Sequence, residues 1–200
     1  MSFILHIILM QTRHKKSHQM KVAEKKIVFN YDDLVHWEDD HYRHELIEGD
    51  HFMTPSPNLY HQRISANLFW YLKEYVDERN LGIVLAAPTD IKLSDIDVLV
   101  PDIFYVEQER ADRLYGNFLG EAPALVVEIL SPSTAKRDRE IKYKRYALYG
   151  VKEYWIVDPE KQAIEVHDLT QKKRISIFTK DEQLNSPTFA DLNLPHNKIF

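Results

Sequence analysis

The chain of 200 residues contains no cysteine. That excludes structural disulfides, thiol nucleophiles and cysteine-ligated zinc, and it fits a reducing compartment. A positive charge balance is also lacking. The 26 Lys and Arg against 31 Asp and Glu leave a formal net charge of -5, so no global positive field draws the chain to nucleic acid or to an anionic membrane. Any nucleic-acid contact must therefore be local. Long hydrophobic runs are missing too. The apolar stretch Phe3–Met10 is interrupted by His6 and has no basic segment before it. No small-residue cleavage site follows, and the stretch is far too short to span a bilayer. No membrane partner is expected, and the chain has neither internal repeats nor low-complexity segments.

What the chain does have is apolar material, 44% of its residues, enough for one domain with a substantial core. Met20 stands directly before a more regular pattern, so residues 1–19 are expected to be a disordered or mis-started extension. Residues 20–200 are expected to form a single domain, located in the cytoplasm.

Asn30-Tyr31-Asp32-Asp33 has the cap and early acids of a short helix ending near Trp37. Tyr42 to Ile47 and His51 to Thr54 flank Glu48-Gly49-Asp50, the chemistry of a hairpin turn. Leu59 to Arg79 places Ile64, Leu68, Phe69, Leu72 and Val76 on one stripe, which predicts a long helix lying on a sheet and closing near Gly82. Ile83 to Ala87, Asp90 to Leu93, Ile103 to Val106 and Ala124 to Leu130 read as strands, with Pro88 and Asp95-Ile96-Asp97 as turns. A second helix is expected from about Arg137 to Tyr149, stopped by Gly150. Val151 to Val157 reads as another strand, and Ala163 to His167 with Arg174 to Phe178 as an outer hairpin. The order predicts a mixed α/β (α+β) sandwich.

The densest information lies in Leu125-Val126-Val127-Glu128-Ile129-Leu130, an apolar strand with a carboxylate inside it. A short continuous apolar run marks a strand covered on both faces, and an ionised carboxylate there costs several kcal/mol unless a cation or donors meet it. Asp102, just after Pro101, stands at the mouth of another such strand. Two carboxylates brought together repel, and a hard cation between them relieves the repulsion. The alternative reading has Asp102 capping a turn and Glu128 paired with an Arg or Lys.

The helix after that strand supplies cations. Asp138, Lys142 and Tyr146 recur every four residues and share a face, while Ile141 and Leu148 are expected to define the packing side. Lys136, Arg137, Arg139, Lys142, Lys144 and Arg145 outnumber Asp138 and Glu140. They form either a phosphate-facing patch or a solvated face of intrahelical ion pairs. His41-x-x-His44 lacks a third ligand at suitable spacing and is taken as surface rather than zinc-binding.

Pro101-Asp102 followed by Glu128 on an apolar strand is similar to the PD-(D/E)xK nuclease signature. More narrowly, the chain resembles the Uma-type restriction endonuclease family over about residues 22–200. The resemblance rests on Tyr42-x-x-Glu45-Leu46-Ile47-x-Gly49, Met53-x-Pro55-x-Pro57, His61 and Pro101-Asp102. It continues through Val127-Glu128-Ile129-Leu130-Ser131-Pro132-Ser133-Thr134, Asp138-x-x-x-Lys142-x-x-x-Tyr146 and Gly150-Val151-x-Glu153-Tyr154-Trp155-Ile156-Val157-Asp158-Pro159. It implies a restriction-endonuclease-like mixed sheet flanked by helices, with β-hairpin decoration at both ends.

The lysine of the superfamily signature would fall at Leu130, which cannot act on a phosphate. The resemblance moves that role to Lys142 on the following helix. It implies Asp102, Glu128 and the Ile129 carbonyl as ligands of Mg²⁺ or Mn²⁺, and Lys142 orienting water or stabilising transition-state charge. His61 and Glu45 match family positions as further site residues, His61 reading equally as a core or capping residue. The expected activity is a Mg²⁺-dependent endonuclease that hydrolyses DNA by attack of a metal-activated water, working as a homodimer because two cuts in a duplex suit a symmetric pair. The alternatives are a nuclease-like fold that binds nucleic acid or assembles without cutting, and a hydrolase of a small phosphodiester in a closed pocket.

Overall fold

The computed structural model describes residues 26–38, 40–111, 114 and 116–200; the extension expected over residues 1–19 lies outside them. In chain order the elements are α1 (Tyr31–Leu34), β1 (Arg43–Ile47), β2 (Asp50–Thr54), α2 (Leu59–Arg79), β3 (Gly82–Ala86), β4 (Asp90–Ser94), β5 (Asp97–Leu99), β6 (Ile103–Glu107), α3 (Gln108–Ala111) and β7 (Phe118–Leu119). They continue as β8 (Leu125–Ile129), α4 (Ala135–Arg137), a π-helical turn (Asp138–Lys142), α5 (Tyr143–Tyr149), β9 (Glu153–Asp158), β10 (Ala163–Asp168), β11 (Lys173–Phe178) and α6 (His196–Ile199). Among the described residues no helix is long and apolar enough to cross a membrane.

Local chemistry explains most boundaries. Asn30 caps α1 by accepting from Asp32 and Asp33 backbone N–H groups, and the Asp33 side chain returns a bond to the Asn30 N–H, a reciprocal box. Glu48 and Gly49, both at positive φ (54° and 74°), make the tight β1–β2 turn. The helix α2 follows the predicted stripe, with Ile64, Leu68, Leu72 and Val76 buried. It spans the expected Leu59–Arg79 and closes at Asn80, two residues before Gly82, in the left-handed conformation, which asparagine tolerates.

The mixed architecture follows the expectation, with one difference in layout. The strands form a six-stranded sheet in the order β11-β10-β9-β8-β6-β3 and a five-stranded one in the order β2-β1-β5-β4-β7. The N-terminal hairpin thus supplies two of the five strands of a second sheet rather than forming a decoration. β5, whose first residue Asp97 was expected in a turn, joins it as Val98 pairs with Leu46 and Lys92 of its two neighbours. The C-terminal hairpin does extend the larger sheet.

Period-two alternation divides the core. Ile103, Tyr105, Leu125, Val127, Ile129, Trp155 and Val157 face α2 and the C-terminal segment. Phe104, Val106, Val126, Tyr154 and Ile156 face Ile47, Ile91 and Leu99 of the second sheet together with Tyr146 of α5. Tyr154 to Val157 are fully covered, so this strand is core.

The second helix departs most from its expected form. It begins at Ala135 and contains the π turn, an insertion often found at functional sites. Its packing side is also inverted. Asp138, Lys142 and Tyr146 are buried, whereas Ile141 is 37% and Leu148 66% exposed. The polar stripe faces inward because it meets acids from both sheets.

Candidate active site

Register brings the two key carboxylates together. β6 runs antiparallel to β8 with Ile103 opposite Val127, so the residue before Ile103 and the one after Val127 lie side by side at the strand ends. Asp102 Oδ2 accepts from the Ile129 N–H at 2.8 Å. β8 and β9 are parallel, and the crossover between them carries the π turn and α5 over the Glu128 face. Lys142 Nζ thereby reaches Glu128 Oε1 at 2.8 Å, and the Tyr146 hydroxyl donates to the same oxygen at 2.8 Å.

Two further elements complete the site. From β1, Glu45 Oε1 lies 2.7 Å from Lys142 Nζ and accepts from the Val100 N–H at 3.0 Å. From the first turn of α2, His61 Nε2 donates to the Ile129 carbonyl at 3.1 Å and lies 3.3 Å from Asp102 Oδ2. Asn58 caps that turn, accepting from the His61 N–H. All six residues selected from sequence, Glu45, His61, Asp102, Glu128, Ile129 and Lys142, line one cavity of about 220 Å³.

Sequence reading did not assign roles here to Arg43, Arg137 and Asp138, which line the same cavity. Arg43 Nη1 bonds Asp102 Oδ1 at 3.1 Å, and Arg137 lies 3.4 Å from Glu45. Arg43 sits two residues before Glu45 on one strand, a spacing that puts both on one face, and Asp138 precedes Lys142 by four. Those spacings were the available signals. The expected basic patch is mostly spent internally. Arg139 pairs with Glu165 and Asp158, Arg145 pairs with Asp97 and Glu48, and Lys142 is buried. Nor is His44 a plain surface residue, since it bonds both His51 and Asp40.

Four acids (Glu45, Asp102, Glu128 and Asp138) meet three fixed cations (Arg43, Arg137 and Lys142) in the cavity. The protonation states reflect this shortfall of positive charge. Burial pushes the Glu128 carboxyl up to about 8; Lys142 opposes the shift, while Asp138, Asp102 and Glu45 add to it. Burial pushes Glu45 upward as well, but Lys142 and Arg137 hold it below its ordinary value. Asp102 is likewise held low against burial, by His61, Arg43 and the Ile129 N–H. Burial works against the Lys142 ammonium, yet Glu128, Glu45 and Asp138 keep its pKa above the usual lysine range.

A hard divalent cation fits this donor set in kind. The donors are carboxylate and carbonyl oxygens, and Glu45 Oε2 and Asp138 Oδ1 are buried without a hydrogen bond. In the present arrangement Lys142 Nζ and His61 Nε2 stand against the oxygens a cation would use. Among the described residues no three metal-ligating side chains converge on one point.

The fold and this acidic, lysine-bearing cavity at the ends of paired strands define a protein of restriction-endonuclease-like class. The chain belongs to the Uma2 family, whose description is "Putative restriction endonuclease", over residues 31–197. Among solved structures it is similar to a "putative nuclease belonging to DUF820" from Anabaena variabilis ATCC 29413, with a TM-score of 0.75 at 22% identity, over 86% of this chain and 97% of that one. That likeness concerns the fold. No curated protein matches the chain.

Proposed function

We propose that the chain is a Mg²⁺-dependent endonuclease that hydrolyses DNA phosphodiester bonds. The observation that carries the proposal is the convergence of Asp102, Glu128 and Lys142, from three separate elements, on one cavity. Asp102, Glu128 and the Ile129 carbonyl would hold the metal, which Mn²⁺ can replace. When bound, the ion supplies charge stabilisation on the phosphoryl group and a lowered pKa for water.

The chain's own residues do the rest. Lys142 carries a fixed positive charge to the place where phosphoryl charge grows, and Tyr146 and Glu45 hold Glu128 and Lys142 in position. His61 orients the Ile129 carbonyl and Asp102. The same reading takes residues 20–200 as one catalytic domain acting in the cytoplasm as a homodimer. One observation favours a second reading, a nuclease-like module that binds nucleic acid without cutting: the site's carboxylates are already paired by Lys142 and Arg43.

The test is incubation of purified protein with supercoiled plasmid in Mg²⁺, Mn²⁺ or EDTA, with Glu128→Gln and Lys142→Ala alongside. Metal-dependent nicking that both variants lose by at least about a hundredfold is expected. DNA retarded equally by wild type and Glu128→Gln, with no cleavage in any metal, would select the binding module instead.

A further inference from the structure

A second and larger cavity, about 730 Å³, opens beside the catalytic one and shares Arg43, His61 and Asp102 with it. Its size falls within the range of about 300–1,000 Å³ typical of sites that enclose a ligand group. The reaction described above makes no use of its far wall.

That wall is aromatic and fixed in advance. Trp37 lines the cavity, backed by the His51 ring at 4.0 Å between centroids and braced edge-on by Phe29 at 5.5 Å. The indole therefore needs no ordering before a flat group stacks on it, and such preorganisation favours binding. Tyr42 lines the same space and is 48% exposed.

Asp90, the first residue of β4, also lines this cavity. Its carboxylate takes part in no hydrogen bond or ion pair among the described residues, while burial and then the charge of Glu45 push its pKa upward. It is a half-buried acceptor on the cavity wall that the described protein groups leave open to a ligand. The exocyclic amino groups of cytosine, adenine and guanine are neutral donors of the matching kind, and thymine has none.

A base in intact duplex presents only its edges in the grooves. To enter a recess beside the scissile phosphate it must leave the stack, and the cost is least where it is already unpaired. Stacking on a fixed aromatic side chain is how proteins hold such bases.

We propose that this cavity receives one unpaired base next to the phosphate to be cut, stacked on Trp37 and recognised through its amino group by Asp90. The substrate class is then DNA that is single-stranded, or carries an unpaired base with an amino group (cytosine, adenine or guanine), at the cleavage site. This rests on the nuclease reading and narrows it.

The test uses the full chain carrying Glu128→Gln, with fluorescein-labelled oligonucleotides in Mg²⁺. The ligands are single strands, perfect duplexes, and duplexes with one unpaired cytosine or thymine; anisotropy reports affinity and intrinsic fluorescence reports stacking. Unpaired cytosine should bind about tenfold or more tighter than duplex, and Trp37→Ala should cancel that gain. Trp37→Phe should keep most of the affinity while removing the fluorescence quenching, which separates stacking from misfolding. Asp90→Asn should erase the preference for cytosine over thymine. Equal affinity for all ligands with Trp37→Ala neutral, while wild type still nicks plasmid, would overturn this inference and leave the nuclease reading intact. Absence of both binding and cleavage for every DNA would overturn the two together. Trp37-dependent binding without cleavage by wild type would uphold the base site and remove the hydrolytic role.

Discussion

Lys142 is the side chain on which the site's electrostatics turn. Its side chain is 2% exposed and its ammonium lies within 2.8 Å of both Glu45 and Glu128, so it serves as an internal cation of the site. Removing one partner of a buried ion pair costs about 3–5 kcal/mol, because the remaining charge is left uncompensated. Lys142→Ala should therefore lower metal-free stability by roughly that amount in urea unfolding. The same substitution releases Glu128 from its lysine and leaves it to a divalent ion held with Asp102 and the Ile129 carbonyl. Added Mg²⁺ should accordingly raise the melting temperature of Lys142→Ala more than that of wild type, as binding to the native state alone requires. An equal or smaller Mg²⁺ shift in the variant would argue that the cation site lies elsewhere. The sequence marked Glu128 and Asp102 as acids set into or beside apolar strands, and Lys142 by its four-residue spacing with Asp138 and Tyr146 together with the family resemblance. It could not say whether Glu128 meets a lysine or a metal, since that depends on where the crossover helix lands.

Among the elements, the π turn and α5 were the least legible in sequence. Helical spacing correctly grouped Asp138, Lys142 and Tyr146, but the usual rule that apolar residues face inward assigned that face to solvent. The rule fails because carboxylates from β1 and β8 wait beneath the helix, and burying the polar stripe against them satisfies more charge than burying Ile141 and Leu148 would. A second contact ties α5 to the five-stranded sheet: buried Asp97 accepts from Arg145, from the Tyr149 hydroxyl and from the Glu48 N–H. Burial raises the Asp97 pKa, but Arg145, the Glu48 N–H and Tyr149 outweigh it and hold the carboxyl below its usual value. A depressed carboxyl adds stability above the unfolded-state pKa of about 3.9 and loses it as pH falls through the folded value. Asp97→Asn should thus be less stable than wild type at pH near 7, and the gap should close on acidification below about 4. Urea midpoints across that pH range check it; a gap that persists at the acid end would mean packing, not charge, is what the substitution disturbs.

For the whole molecule, the central sheet joins two cores. Phe104, fully buried, points from β6 into the core shared with the second sheet, while its neighbours Ile103 and Tyr105 point into the core under α2. Phe104→Ala should cost about 3–5 kcal/mol. The loss should appear as one earlier transition seen alike by tryptophan fluorescence and far-ultraviolet circular dichroism, as cooperative unfolding requires. Two separated transitions would show that the sheets fold independently.

The sequence by itself determined most of the strands though not β5 or β7, the long helix α2, the β1–β2 turn and the presence of acids where acids are expensive, because apolar periodicity, caps and turn residues act over a few neighbours. Tertiary structure alone decided that the hairpin becomes part of a five-stranded second sheet, that the helix after β8 turns its charged face inward, and that Trp37 and Asp90 share a cavity with Arg43. Those outcomes depend on strand register and on a crossover that lays Lys142 across Glu128. They are long-range pairings, in which desolvated charge is placed wherever opposite charge from a distant segment can meet it.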